Sequence, residues 1–295
     1  MRINTNVASL TAQEAGTNTN KKLTSSLEKL SSGLAINKAS DNAAGMAIAD
    51  KLRTQASSLG QAVANGNSAS ALIQIADKAM SEQSNILDII KTKLLQTATA
   101  TTSTAGQEAI SKDIAKLMEQ LDNIATQTNY NGIQLLQAGS AADGSAASAL
   151  TFQMGERSLD TINSSSGVQA NLLGLSLNTM KTNLTTTGQA ESIHGNTREI
   201  NSSNARSLLV KIDDAITQLN GWRSDFGSTQ NQVESAVRNL ATAQTNIKAA
   251  ESVIRDVDYA QESAHFNKQN IIAQAGTYAM SQANALQQGV MRLLQ

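Results

Sequence analysis

Not one proline occurs in this chain of 295 residues, although ordinary usage would supply about fifteen. Proline lacks a backbone N–H and its ring collides with the preceding helical turn, so it interrupts any helix interior it enters. Its complete exclusion is what a chain of long, continuous helices requires. The apolar pattern points the same way. Residues 40–96 place Leu52, Leu59, Ile73, Met80, Leu87 and Leu94 on one seven-residue track, with Gly66 as its single gap. Residues 107–128 hold a 4-3 rhythm through Ile110, Ile114, Leu117, Leu121 and Ile124. Residues 189–254 hold another through Ile212, Ile216, Leu219, Phe226, Val233, Val237, Leu240 and Ile247. A 4-3 spacing keeps one face of a helix turned toward a partner helix. The third segment, roughly 65 residues, would run about 100 Å as a helix. These segments predict a mainly α fold, an elongated antiparallel helical bundle or coiled coil.

The middle of the chain, about residues 138–187, breaks the helical period. Leu150, Phe152 and Met154 alternate with Thr151 and Gln153, which predicts a strand. Gly155 follows, and residues 158–162 read as its return, so a small β-hairpin fits here. Leu173, Leu175 and Leu177 alternate again in a strand-like pattern, while Leu173-Gly174-Leu175 also reads as a hairpin or turn signal.

Both extreme ends carry weaker versions of the helical pattern. Leu23, Leu27, Leu30 and Leu34 recur at helical spacing near the N-terminus; Ile272, Ala279, Leu286 and Leu293, followed by Leu294, recur near the C-terminus. These apolar positions are too few to offset the entropy of ordering each end alone. The ends are expected to order on one another and on neighbouring copies, which is folding coupled to assembly.

Composition narrows the function. Lys plus Arg total 23 and Asp plus Glu 24, for a net charge of −1. A near-neutral chain whose basic residues are scattered has no electrostatic claim on nucleic acid or anionic membrane. Aromatics, at 2 %, are too sparse for a base-stacking platform. Cysteine is absent, which removes disulfides and thiolate metal sites. The N-terminal residues lack an apolar core of signal-peptide length, and no run of about 18 apolar residues exists to span a bilayer. The only histidines, His194 and His265, are far apart, whereas metal or catalytic work needs clustered partners. The adjacent Asp213 and Asp214 point to different helix faces and are expected to be solvated. No catalytic, cofactor-binding or metal-binding residues are assigned, and the chain is read as a structural protein.

Several stretches together resemble bacterial flagellin: Arg2-Ile3-Asn4-Thr5-Asn6, LEKLSSGLAIN at 27–37, DNAAGMAIAD at 41–50, YNGIQLL at 130–136, FQMG at 152–155, AAESVIRDVDYA at 249–260 and ANALQQ at 283–288. The resemblance covers residues 1–180 and 190–295. It implies a subunit that polymerises into the flagellar filament for swimming, with a hook–filament junction protein of the same architecture as the alternative. It implies that residues 1–40 and 256–295 pair as an inner-tube domain. Residues 41–180 and 188–255 would form an outer-tube bundle with the hairpin, without a large outer variable domain. The self-assembly residues would be Leu23, Leu27, Leu30, Leu34, Ile272, Leu286, Leu293 and Leu294. Glu251, Arg255, Asp256 and Asp258 would lie at the domain junction. The implied partners are further copies of the chain, the flagellar export apparatus, an export chaperone on the C-terminal helices, and the filament cap and hook-junction proteins. The implied location is extracellular, reached through the type III export channel without a cleaved signal peptide.

The resemblance also marks a departure. Ile89 stands where the family commonly has an arginine read by an innate immune receptor, and Lys93 stands where a leucine is common. This is similar to the epsilon-proteobacterial type, which evades that receptor. In the same class, Ser164, Ser165 and Ser166 become candidate acceptors for O-linked glycans.

Overall fold

The structure is a computed structural model that describes residues 6–99, 101–137, 149–164, 168–178, 180 and 202–293. In chain order the elements are α1 (Val7–Ser32), α2 (Ala43–Ala98), α3 (Thr104–Gln127), β1 (Asn129–Tyr130), β2 (Ile133–Gln134), β3 (Thr151–Gln153), β4 (Thr161–Asn163), α4 (Ser202–Arg255) and α5 (Tyr259–Leu293). The long helices of the sequence reading are present to within a few residues where they are described. Residues 189–201 lie outside the description.

Helix ends sit where the side chains can satisfy them. The Asn6 side chain accepts the Ser9 N–H at the start of α1, at 3.0 Å, and the Ser103 hydroxyl accepts the Gly106 N–H at the start of α3, at 3.3 Å. Both relieve amides that have no partner within the first helical turn. Gly33 closes α1 at φ 73°, donating its N–H to the Lys29 carbonyl at 2.9 Å. That left-handed conformation is one a side chain resists. Asp258 opens α5 by accepting the Ala260 and Gln261 N–H groups.

The chain forms two compact units. The larger spans residues 58–242. Within it α2 and α4 run antiparallel: Val237 packs near Gly66, Arg223 pairs with Asp77 at 3.0 Å, and Asp213 pairs with Lys91 at 2.6 Å. Partner numbers on α4 fall as those on α2 rise. α3 lies antiparallel to α2 as well, with Lys93 on Asp113 at 3.0 Å and Gln83 on the Leu121 carbonyl at 3.1 Å. The core contains Ile73, Met80, Leu87, Leu94, Ile114, Leu121, Ile212, Leu219 and Val233, all fully buried, with Ile110 at its edge. Leu117, Ile216, Val237 and Leu240 pack against it half-buried. Leu59 is also buried, and Leu52 and Ile247, in the other unit, are half-buried.

Two hairpins cap this core. Asn131 and Gly132, at φ 52° and 82°, make the tight turn joining β1 to β2, the hairpin geometry that asparagine–glycine favours. β3 and β4 pair antiparallel with Phe152 opposite Ile162, close to the alternation read from the sequence. The returning strand begins at Thr161 rather than Ser158, because residues 155–160 are spent in the turn.

Two expectations are corrected by the structure. Leu173, Leu175 and Leu177 are not extended: residues 171–178 fold into successive turns, with the Leu177 N–H on the Leu172 carbonyl at 2.8 Å and Ser176 at φ 57°. Asp213 and Asp214 are both exposed, as expected, and Lys91 pairs with Asp213 at the surface. Ser164 is not an exposed hydroxyl: it is buried, and its Oγ accepts the Leu150 N–H at 2.9 Å. Ser165, Ser166, His194 and Leu294 lie outside the described residues.

Candidate self-assembly surface

The smaller unit spans residues 1–57 and 243–295. In it α1 and α5 pair antiparallel. The Asn6 amide donates to the Ala283 carbonyl and the Asn284 side chain, each at 3.3 Å, and the Ser26 hydroxyl donates to the Glu262 carboxylate. Beyond α1, Leu34 forms an antiparallel bridge with Asp256. The Ala35 N–H meets the Arg255 carbonyl at 2.7 Å and the Val257 N–H meets the Gly33 carbonyl at 3.0 Å.

The face each helix turns inward is regular. On α1 the protected positions include Ser9, Ala12, Gly16, Thr19, Leu23, Ser26 and Leu30, a 3-4 alternation, with Ser25, Glu28 and Lys29 also half-buried near its end. On α5 they are Glu262, Phe266, Gln269, Ala273, Gly276, Met280 and Ala283. This is a coiled-coil seam, but one built largely from small and polar side chains. Of all these positions only Thr19, Ser26 and Gln269 are buried outright. Beside Gly16 and Gly276 the two helices leave a groove of about 360 Å³, lined also by Thr17, Asn20, Gln274 and Met280.

Leu23, Leu30, Phe266 and Met280 are the large apolar side chains on the seam; several others point the other way. On α5, Ile271, Ala275 and Tyr278 lie on the face opposite the seam, with Gln282 and Ala285 continuing that spacing, and Leu286 lies beside them on the neighbouring track of Ile272 and Ala279. Ile271 is 67 % exposed, Tyr278 75 % and Leu286 65 %. Ile272 flanks this stripe and is also exposed. On α1, Val7, Leu10 and Leu27 are each more than half exposed. An outward stripe of this size is not how an isolated soluble molecule arranges its surface.

The structure therefore sorts the residues read from the sequence. Leu23 and Leu30 lie half-buried on the α1 seam, and Leu34 lies half-buried at the bridge. Leu27 is turned outward, away from the face it was expected to share. On α5 the track of Ile272, Ala279 and Leu286 is exposed, while the inward track runs through Phe266, Ala273 and Met280. For Leu293 the backbone alone is described. Ile271 and Tyr278 were missed, although their seven-residue spacing could have found them.

The charged residues near the break between α4 and α5 are engaged. Arg255 lies 3.4 Å from Asp50 and 4.0 Å from Glu251, Asp256 accepts the Ser252 hydroxyl at 2.6 Å, and Asp258 caps α5. The connection between α1 and α2 is held by Asp41, whose carboxylate accepts the N–H groups of Lys38 and Asn37 at 3.0 and 3.1 Å. Those bonds, the one from Lys38 above all, hold its pKa below the ordinary aspartate value. Lys38 reaches Glu28 at 2.6 Å, and that hydrogen bond and charge raise its pKa. His265 is exposed, 3.6 Å from Glu262. Among the described residues no group of three His, Cys, Asp or Glu side chains could hold a metal ion, and no helix is long and apolar enough to cross a membrane.

Comparison with known proteins decides the family. The family model for the bacterial flagellin N-terminal helical region matches residues 3–141, and that for the C-terminal helical region matches residues 209–294. The flagellin of Bacillus subtilis is 33 % identical, with 100 % of each chain covered. The chain belongs to the bacterial flagellin family. Flagellin B of Helicobacter pylori strain J99 is 30 % identical, covering 100 % of this chain and 99 % of that one over 511 aligned positions. A putative hook-associated protein of Vibrio parahaemolyticus has a similar fold, with a TM-score of 0.57 over 73 % of this chain and 99 % of that one, at 11 % identity. That likeness is one of fold, whereas the relatives by sequence are flagellins. Family membership over the full length makes this chain a structural subunit of the flagellar filament.

Proposed function

We propose that copies of the chain lock into the filament through the outward faces of α1 and α5, so that residues 1–40 and 256–295 line its inner tube and residues 41–180 and 188–255 its outer tube. One observation carries this reading: the α1–α5 seam takes mostly small and polar residues inward and leaves Ile271, Tyr278 and Leu286 in water. Burying one such side chain contributes about 1.5–3 kcal/mol, and in a polymer that gain recurs at every subunit. The assembly residues on those faces are Leu27, Ile272, Leu286, Leu293 and Leu294, joined by Ile271 and Tyr278, while Leu23, Leu30 and Leu34 serve assembly by holding α1 in the pair that presents them. The filament is extracellular and serves swimming. The export apparatus delivers the chain without a cleaved signal peptide, a chaperone covers the C-terminal helices beforehand, and cap and hook-junction proteins meet the filament at its ends. Leu286→Asp tests the reading. Its helical content in circular dichroism should match the parent chain, and electron microscopy should find no filaments. Normal filaments from this variant would overturn the assignment of the face.

A further inference from the structure

The hairpin joining β3 to β4 ends in a turn that carries an unexpected residue. Leu159 is 89 % exposed, at the tip of residues 155–160. The tip is tightly fixed. The Met154 N–H bonds the Asp160 carbonyl at 2.9 Å and the Asp160 N–H bonds the Arg157 carbonyl at 3.0 Å. The Gln153 amide reaches the carbonyls of Gly155 and Arg157 at 2.8 and 2.6 Å, and the Asp160 carboxylate accepts the Arg157 N–H at 3.1 Å. A turn held by so many bonds loses little freedom when it docks. Here it holds a leucine out in water.

The same compact unit presents a recess on the outer face of α2. A shallow hollow of about 430 Å³ is lined by Ala71, Gln74, Ile75, Asp77 and Lys78, with the Ile75 side chain partly exposed in it. Charge on the two surfaces is complementary. Glu156, Arg157 and Asp160 leave the tip with one net negative charge. In the recess Asp77 is already neutralised by Arg223, so Lys78 sets a positive sign. We infer that Leu159 of one copy docks into the recess around Ile75 of the next copy, with Glu156 facing Lys78. Knob and recess are different patches of one surface, so the contact is heterologous, the kind that propagates into an open helical polymer instead of closing as a dimer. The inference rests on the filament reading above, and it adds a specific contact outside the α1–α5 pair.

The absence of cysteine from the chain makes the test clean. Chains carrying Leu159→Cys and chains carrying Ile75→Cys, mixed and polymerised, should form disulfide-linked dimers on mild oxidation; either variant polymerised alone should not. A disulfide demands Cα atoms within about 7 Å, so the link reports direct contact. Leu159→Asp should keep the monomer's circular dichroism and raise the critical concentration for polymerisation about tenfold or more. Lys78→Glu should raise it too, and adding Glu156→Lys should restore it. Filaments that form normally without the mixed cross-link, or a Leu159→Asp chain that assembles at the parent concentration, would overturn the docking. A parent chain that forms no filament at all would overturn the filament reading itself.

Discussion

Replacing Gly66 by alanine tests how closely α2 and α4 approach. Gly66 is buried within α2, and a Cβ at that position would lie 2.4 Å from Val237 Cγ2 on α4 and 2.7 Å from Met154 Cε beside β3. Neither distance is tolerable. The Met154 methyl ends a flexible side chain and can swing away. Val237 cannot, because a β-branched residue in a helix has essentially one rotamer, so the two helices must separate. Overpacking of this kind costs about 1–3 kcal/mol, and Val237 places the site in the upper part of that range. Alanine returns about 1 kcal/mol through its better helix propensity. The net loss is about 1–2 kcal/mol, a fall of about 2–8 °C in melting temperature for a unit of this size. Gly227 is the internal control: it is exposed on α4 and nothing lies within 4 Å of its Cβ position, so alanine there should gain what the propensity supplies. Thermal denaturation followed at 222 nm compares the two, with Gly66→Ala/Val237→Ala relieving the clash. Should Gly66→Ala melt at or above the parent temperature, as Gly227→Ala is expected to, the close approach of the helices is refuted.

Three further outcomes are expected. Gln83 is fully buried, with its amide donating to the Leu121 and Ala170 carbonyls while its Oε1 has no partner; Gln83→Met loses two hydrogen bonds and sheds one orphaned acceptor, a net destabilisation of about 1 kcal/mol by urea denaturation, and a more stable variant would refute the role of these bonds. The Asp41 carboxylate, with its lowered pKa, stabilises the connection between α1 and α2 above the ordinary aspartate range and loses that contribution as pH falls through its depressed value; the protection of the Asn37 and Lys38 amides, measured against the intrinsic exchange rate at the same pH, should therefore fall in acid, and Asp41→Ala should show the same low protection at neutral pH. Ile89 is exposed and Lys93 is engaged with Asp113, so purified monomer should give weak or no signal in a cell reporter of the innate immune receptor, full-strength signalling being the contrary result.

Legibility in the sequence followed side-chain size. Met80, Leu87, Leu94, Ile114 and Leu121 announce their seam because each large apolar residue has no reason to recur at that spacing except burial. The α1–α5 seam carries no such signal. Its inward track carries only Leu23, Leu30, Phe266 and Met280 among Ser9, Gly16, Thr19, Ser26, Gln269 and Gly276, residues that say nothing about burial singly, while the conspicuous Ile272 and Leu286 mark the outward face. Reading the large residues as the intramolecular seam puts α5 in the wrong rotation. The alternation of Leu173, Leu175 and Leu177 misleads for a related reason: a string of turns can bury residues at intervals as readily as a strand. Asn131-Gly132 was visible as a turn, but the two-residue strands on either side were too short to show a period.

That this chain is mainly helical, that it has no thiol chemistry, and which family it joins could all be read without coordinates. Those properties depend on which residues are present and on their spacing along one helix. The rotation of each helix about its axis, the engagement of Asp213 with Lys91, the burial of Ser164 and the packing of Val237 and Met154 at Gly66 emerge only when the elements pack. A helix with apolar residues on two faces has two ways to bury one of them. Only the partner helix, through the closeness of approach its small residues permit, selects which face turns inward and which is left for the next copy.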